Sequence, residues 1–150
     1  MPRELTFFID RGLGTKIVPD ALKAAGYSVI LHNDLFLPTV TDVEWMTAIG
    51  ALGYVFISKD EHIERRPREV LALMEANVHG FVLYSSNSTG AQNAEAICKA
   101  MPQIAQICQR HNPPNLHRIY ITGRIEKFMN YDDMYREYLK LKGEADWRQD

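Results

Sequence analysis

Four acidic residues in the first sixty positions have a spacing suited to a metal-binding site. Asp10 directly follows the apolar stretch FFI, Asp60 follows VFIS with one residue between, and Asp42 and Glu44 belong to the segment TDVE. Oxygen-only ligand sets suit Mg²⁺ or Mn²⁺. A cation bound by carboxylates polarises a phosphate group and lowers the pKa of an attacking water. The corresponding chemistry is hydrolysis of phosphate esters.

The elements that must position these acids alternate between short apolar strands and amphipathic helices, which is typical of a parallel sheet. Strands are predicted at Leu5–Ile9, Ser28–His32, Tyr54–Ser58, Gly80–Tyr84 and Leu116–Thr122. Helices are predicted at Lys16–Ala25, Asp42–Leu52, Pro67–Ala76, Thr89–Arg110 and Tyr131–Lys142. A break or bend is expected near Pro102, because proline removes a helical hydrogen bond.

The predicted topology brings the acids together at one edge of the sheet. In an open parallel sheet, every loop that leaves the carboxyl end of a strand lies along the same edge. Asp10, Asp60 and the polar run Ser85–Asn87 should lie there, beside the helix start that carries Asp42 and Glu44. Two carboxylates ~4 Å apart repel by about 4 kcal/mol at an effective dielectric constant near 20. Such a cluster needs a proton, a basic partner or a divalent cation.

Each acid also has a purely structural interpretation. Thr41 and Glu44 have the spacing of a capping box, in which the glutamate serves only the helix start. Asp42 could complement the helix dipole. Asp60 could cap the next helix, and Asp10 could form an Asx turn. The shared sheet edge favours a common functional site for Asp10 and Asp60 over two independent structural roles.

A local basic group follows Asp60, formed by Arg65, Arg66 and Arg68. These residues could form a solvated helix face or bind the phosphates of a nucleic acid. The net charge of −2 neither favours nor excludes a nucleic-acid partner.

The overall composition is that of an ordinary globular protein of one domain, expected to span residues 1–150. Its apolar fraction is 46% and its charged fraction 24%. No stretch approaches the ~20 apolar residues that span a bilayer, and the N-terminus lacks a signal-peptide pattern. We therefore expect a cytoplasmic protein without a membrane partner. Cys98 and Cys108 are expected to be reduced packing residues.

Four segments, taken in order, carry a family resemblance: FFIDRGLG with the following VPDALKAAGYSVILHND, then TDVEWM, GYVFISKDEHI and GFVLYSSN. Together they resemble the PIN-like superfamily, and in particular its small bacterial branch of VapC-like toxin ribonucleases. The resemblance runs from about residue 5 to residue 112 and does not cover the helical tail at about 131–150. It depends on the order and spacing of acids and strands, since no single motif is diagnostic.

The resemblance implies an α/β fold, a three-layer α/β/α sandwich with a mainly parallel central sheet. It implies a metal-dependent endoribonuclease that uses Mg²⁺ or Mn²⁺ bound by Asp10, Glu44 and Asp60. Asp42 is the competing choice for the second metal-binding acid, and Ser85 or Asn87 would position water or phosphate. The three arginines after Asp60 would hold the RNA backbone. Such toxins commonly pair with a small antitoxin protein, and many dimerise.

The sequence departs from this family at two places. Gly12 stands where many members carry a hydroxyl residue, two positions after the first acid. The segment after the fourth strand offers Ser85, Ser86 and Asn87 where many members carry a fourth acid. A catalytically silent PIN-like module that binds RNA or protein is therefore an alternative function.

A receiver-like phosphoacceptor signalling domain is a second alternative, because receivers also place acids after strands one and three. Receivers usually have adjacent acids after the first strand, whereas Arg11 follows Asp10 here. They also present a lysine after strand five, where this chain reads Thr122-Gly123-Arg124. Both differences count against a receiver.

Overall fold

The structure is a computed structural model that describes residues 4–85 and 87–149. Its strands are β1 (Thr6–Ile9), β2 (Ser28–Leu31), β3 (Val55–Ser58), β4 (His79–Tyr84), β5 (Asn115–Tyr120) and β6 (Ile125–Met129). Its helices are α1 (Ile17–Ala24), α2 (His32–Leu35), α3 (Asp42–Leu52), α4 (Pro67–Ala76), α5 (Gly90–Arg110) and α6 (Tyr131–Gln149). Short 3-10 turns lie at Arg11–Leu13 and Ile63–Arg65.

In the described part of the chain, six strands form one sheet in the order β2-β1-β3-β4-β5-β6. The first five are parallel, and β6 runs antiparallel to β5. Helices α1 and α5 pack on one face of this sheet, and α3, α4 and α6 pack on the other. The predicted α/β fold, a three-layer α/β/α sandwich with a mainly parallel sheet, is confirmed.

Alternation along β1 shows how one strand serves both layers. Phe7 and Ile9 belong to the core beneath α1 and α5, whereas Phe8 belongs to the core beneath α3 and α4. This is the period-two pattern of a pleated strand. Phe8 stacks on Trp45 of α3 with ring centroids 5.4 Å apart. A strand covered on both faces is apolar where it is buried, and the three buried residues Phe7–Ile9 of β1 meet this requirement.

Helix α5 is continuous through Pro102, so the predicted break at this residue is wrong. Pro102 lies on the exposed side of the helix. The opposite side buries Ile97, Met101 and Ile104 against the sheet. Proline removes one hydrogen bond of the helix, and the burial of this apolar face compensates for the loss, so the helix continues.

Strand β6 is absent from the sequence-based prediction, in which residues 123–130 form no element. It forms a hairpin with β5 in which Ile119 pairs with Ile125 and Arg118 with Glu126. The segment IEKFM lacks regular alternation of apolar and polar residues, and this alternation is the signal that identifies a half-buried strand.

Both cysteines are unpaired, as expected. No helix in residues 4–85 and 87–149 has the length and apolarity needed to cross a membrane.

Candidate metal and RNA site

The candidate site lies where the strand order reverses. Strand β1 is flanked by β2 on one side and β3 on the other. Open α/β sheets bind ligands at such a switch point, outside the carboxyl ends of the strands. Asp10 directly follows β1 and Asp60 follows β3. The expectation that these two acids share a sheet edge agrees with the parallel pairing of the strands.

Asp10 and Asp60 are joined through the buried hydroxyl of Ser58. Ser58 Oγ donates to Asp10 Oδ2 at 2.9 Å and accepts from the Asp60 backbone N–H at 3.0 Å. The second oxygen of Asp10 accepts from the Arg11 backbone N–H at 2.7 Å. This bond caps the 3-10 turn, after which Gly14 adopts φ 80°, a left-handed conformation that favours glycine. Gly12 has an ordinary conformation, so only the second glycine is needed for the turn.

Burial raises the pKa of Asp10, and the charge of Asp42 raises it further. The hydrogen bonds from Ser58 and from the Arg11 backbone oppose this shift. The electrostatic interaction between Asp10 and Asp42 shows that α3 brings a second carboxylate towards the first. Like-charge crowding of this kind is typical of carboxylate sites that hold a proton or a cation.

Asp42 forms a pair with Glu69, a buried acid of α4 that sequence reasoning missed. Glu69 is 5% exposed. Burial raises its pKa to about 7, assisted by its hydrogen bond to Asp42 and opposed by Arg66. Burial alone would raise the pKa of Asp42, but hydrogen bonds from Glu69 and Trp45 make the net shift downward. The Trp45 Nε1–H donates to Asp42 Oδ1 at 2.9 Å. Glu69 therefore keeps a proton to higher pH than an ordinary glutamate, and Asp42 stays charged to lower pH than an ordinary aspartate.

The sequence contains a signal for Glu69. The helix sequence PREVLALMEA places this residue three and four positions before Ala72 and Leu73, both buried. Residues at this spacing share one face of a helix. A carboxylate on an otherwise apolar helix face has to have a partner, which makes it a candidate for a functional site.

Arg66 connects the two acid pairs. Its Nη1 lies 3.0 Å from Asp60 Oδ2 and 3.1 Å from both carboxylate oxygens of Glu69. The remaining oxygen of Asp60 accepts from the His62 backbone N–H at 3.0 Å. All three arginines are exposed, and Arg66 is engaged with protein carboxylates. The role of all three arginines in RNA binding stays a prediction.

Glu44 forms the capping box of α3. Its Oε2 accepts from the Thr41 backbone N–H at 3.3 Å, and its own N–H donates to Thr41 Oγ1 at 3.2 Å. Glu44 is exposed, as is Asp42, and no hydrogen bond or ion pair joins Glu44 to Asp10, Asp42 or Asp60. Its metal-binding role stays a prediction, and the structure gives it the capping role that the same motif also predicts.

Ser85 and Asn87 lie in a cleft beside Glu61, at the end of β4. The Ser85 backbone N–H donates to Glu61 Oε1 at 3.0 Å, and Ser85 Oγ lies 2.6 Å from Ser88 Oγ. Neither residue hydrogen bonds to Asp10 or Asp60. Ser86, the third member of the predicted polar run, lies outside the described residues.

His32 is a buried histidine close to the acids, and sequence reasoning gave it no role. It is 1% exposed, and within the described residues neither ring nitrogen has a hydrogen-bond partner. Its ring lies among Phe8, Phe36 and Trp45. Burial lowers its pKa, and the charge of Arg11 acts in the same direction. The charges of Asp10 and Asp42 oppose this shift without reversing it.

The donor set has the right chemistry for a hard divalent cation. All four acids, Asp10, Asp42, Asp60 and Glu69, offer only oxygen, which suits Mg²⁺ or Mn²⁺. Among the residues that the structure describes, however, no three His, Cys, Asp or Glu side chains are placed to hold one metal ion. The acids are grouped in pairs, in which Arg66 bonds to Asp60 and Glu69 and the raised pKa of Glu69 reduces the negative charge beside Asp42.

Comparison with known proteins identifies the family. The profile of a family described as "PIN like domain" matches residues 5–85, more than half of the chain. A relative from Mycobacterium tuberculosis strain H37Rv, named "Putative ribonuclease VapC45", is 24% identical over 110 residues. That alignment covers 71% of this chain and 80% of the relative. No solved structure matches significantly. With its three-layer fold and its acids at the switch point, this chain belongs to the PIN-like domain family.

Proposed function

We propose that this protein is a metal-dependent endoribonuclease and the toxin of a toxin–antitoxin pair. Its PIN-like family membership and the ribonuclease name of its mycobacterial relative support this function. The observation that carries the proposal is the Asp10–Ser58–Asp60 network at the switch point of the sheet, with Asp42 interacting electrostatically with Asp10. The family finding removes the support for a receiver-like signalling domain.

Asp10, Asp60 and Asp42 would hold the cation. Asp42 is preferred to Glu44 because it interacts with Asp10 and Glu69, whereas Glu44 caps its own helix. The bound cation, Mg²⁺ or Mn²⁺, would supply polarisation of the phosphate and activation of the attacking water. Ser58 and the Arg11 backbone N–H orient Asp10 by donating to Oδ2 and Oδ1, so one lone pair of each carboxylate oxygen remains available. Arg65 and Arg68, both exposed, would hold the RNA backbone.

A catalytically silent module that binds RNA is the second candidate function. Arg66 already neutralises Asp60, and no three-residue metal cluster is formed by the described part of the chain. An arginine that takes the place of a cation is one of the ordinary ways to stabilise neighbouring carboxylates. A module of this kind would bind RNA without cutting it.

The deciding experiment is RNA cleavage with matched variants. Purified wild-type protein is incubated with a mixed RNA pool and Mn²⁺, beside an EDTA control and the variants Asp60→Asn, Asp42→Asn and Glu44→Gln. We expect cleavage that EDTA abolishes, and that Asp60→Asn and Asp42→Asn reduce by at least about 100-fold, since each removes a charge that acts on the transition state. Glu44→Gln should cleave nearly as well as wild type.

The outcomes separate the candidates. Loss of cleavage in Glu44→Gln with activity retained in Asp42→Asn would overturn the assignment of the second acid. RNA binding without cleavage would identify the silent module. Equal cleavage by wild type and Asp60→Asn would contradict an active site at this edge.

If the protein is such a toxin, we expect an RNA substrate, a small cognate antitoxin and a cytoplasmic location. We also expect a homodimer, as in many such toxins. Induced expression in a bacterial host tests the toxic activity directly. Wild-type protein should arrest growth, whereas Asp60→Asn protein at the same level should not. Normal growth with soluble, RNA-cleaving wild-type protein would contradict a toxin while leaving the nuclease function intact.

A further inference from the structure

A second cleft lies next to the candidate metal site, at the carboxyl ends of β4 and β5. Its lining residues come from three loops, two strand ends and the first turn of α5: Glu61, Tyr84, Ser85, Asn87, Ser88, Gln92, Tyr120 and Ile121. Glu61 directly follows Asp60 along the chain, so the cleft begins one residue from the proposed metal site. An RNA strand whose phosphate lies at Asp10 and Asp60 would therefore place an adjacent nucleotide here.

One wall of the cleft is formed by the rings of Tyr84 and Tyr120, each of which contacts an arginine. The rings of Tyr84 and Tyr120 have centroids 6.2 Å apart. The guanidinium of Arg118 lies over the Tyr84 ring at 4.5 Å, and that of Arg124 lies over the Tyr120 ring at 5.2 Å. Arg124 is exposed, with 64% of its side chain accessible. Aromatic rings and arginine planes are the surfaces on which unpaired bases stack.

A buried ion pair holds this wall in place. Glu64 is 4% exposed and accepts from Arg118 Nε at 3.0 Å and from the Tyr84 hydroxyl at 2.6 Å. Arg118, held by Glu64, covers one face of the Tyr84 ring, whereas the arginine over the Tyr120 ring is exposed, which favours the Tyr120 ring as the stacking surface. A stacking surface fixed before the ligand arrives loses less entropy on binding.

The other side of the cleft is polar. Ser85 Oγ bonds to Ser88 Oγ, which in turn donates to Asn93 Oδ1, so this loop is held by its own hydrogen bonds. Within the described residues, the side-chain amide of Asn87 makes no hydrogen bond, and its backbone adopts φ 59°. Glu61 uses Oε1 to accept from the Ser85 backbone. An amide and a carboxylate oxygen next to an aromatic ring match the polar edge and the flat face of a nucleobase.

We propose that this cleft is a subsite for one unpaired nucleobase of a single-stranded RNA, stacked on Tyr120 and contacted at its edge by Asn87 and Glu61. The proposal rests on the proposed function in that the RNA phosphate next to this base occupies the Asp10–Asp60 site. It names the feature by which the protein would select its substrate. Phosphate contacts alone would not distinguish bases.

The test is RNA binding by fluorescence anisotropy in the uncleaving Asp60→Asn background. The ligands are the four homohexanucleotides of RNA and a hexamer of the same ribose–phosphate backbone without bases. Tyr120→Leu removes the stacking ring, and Tyr120→Phe retains it. Tyr131→Leu is the matched control, since Tyr131 is an exposed tyrosine of α6, outside the cleft. Thermal melts of each variant establish that it is folded.

Tyr120→Leu should weaken binding of at least one homohexanucleotide by about 5- to 150-fold, the range for loss of one base–aromatic stack. It should leave binding of the baseless hexamer unchanged. Tyr120→Phe and Tyr131→Leu should bind every hexamer like the parent. Arg124→Ala should weaken the part of the RNA affinity that depends on the bases. If Tyr120→Leu loses folding, Arg124→Ala alone carries the test, because its exposed pair with Glu126 contributes little to stability.

Equal weakening for hexamers with and without bases, or no change for any hexamer, would overturn the subsite. So would the absence of binding to all the RNAs. Base-dependent loss in a protein that never cleaves RNA would establish the subsite while refuting the nuclease. RNA cleavage by wild type, without any base-dependent loss of binding in Tyr120→Leu, would support the nuclease and refute the subsite.

Discussion

Replacement of Glu69 by glutamine separates the charge of this buried acid from its hydrogen bond to Asp42. Burial, followed by the bond to Asp42, raises the pKa of Glu69 from 4.5 to about 7. Its folded-state pKa therefore exceeds its unfolded value, so its stabilising effect is complete below pH 4.5 and is lost as the pH rises through 7. This shift corresponds to about 3 kcal/mol. The lowered pKa of Asp42 changes stability only below pH 3.8, the ordinary pKa of an aspartate, and therefore outside the pH range in which Glu69 acts.

Glutamine resembles the protonated acid at every pH, so the two proteins should diverge as the pH rises. In urea denaturation with EDTA, we expect Glu69→Gln and wild type to have similar free energies of unfolding at pH 5. At pH 8, the variant should be more stable by about 1–3 kcal/mol, with the upper value set by the full shift. Glu95→Gln on the exposed face of α5 is the control and should show no such divergence. A difference that is constant with pH, or a less stable variant at pH 8, would refute the raised pKa of Glu69.

Two further predictions concern close packing and the hydroxyl beneath the acids. Gly50→Ala should destabilise the protein by about 1–3 kcal/mol in urea denaturation, because a Cβ there would lie 2.3 Å from the Ala76 carbonyl oxygen. Gly143→Ala is the control: a Cβ there would have no atom within 4 Å, so the change should be neutral or stabilising by up to about 1 kcal/mol. Ser58→Ala should cost about 1–3 kcal/mol, because Asp10 loses a buried donor. The same change removes a bond that lowers the pKa of Asp10, so the pH profile of RNA cleavage should move to higher pH, and an unchanged profile would contradict this role.

Local signals explain which elements could be predicted from the sequence. The bounds of α3 and α4 agree with prediction at both ends, since Thr41 begins one with a capping box and Pro67 occupies the first turn of the other. Strand β6 has no such signal, and it forms because β5 offers an edge with which to pair. Its existence is a tertiary effect that a local pattern does not contain.

Positions at the sheet edge were predictable for a different reason. Parallel pairing fixes where the carboxyl end of every strand lies, so Asp10 and Asp60 reach one edge whatever their side chains contact. The choice between Asp42 and Glu44 depends on a hydrogen bond to the Thr41 backbone, which the sequence suggests but does not compel. Glu69 was missed although its spacing to Ala72 and Leu73 places it on the apolar face of α4, because a single acid in an amphipathic helix is most often a surface residue.

The charge balance at this edge depends on pairings that no linear pattern contains. Asp60 lies six residues before Arg66, and Glu69 three residues after it, yet one guanidinium nitrogen bonds to both. The same carboxylates that could bind a cation are thus already partly neutralised by α4. A cation that binds Asp60 would have to displace the guanidinium of Arg66 or share this carboxylate with it. Competition between Arg66 and a divalent cation for Asp60 therefore decides between a nuclease and a silent RNA-binding module.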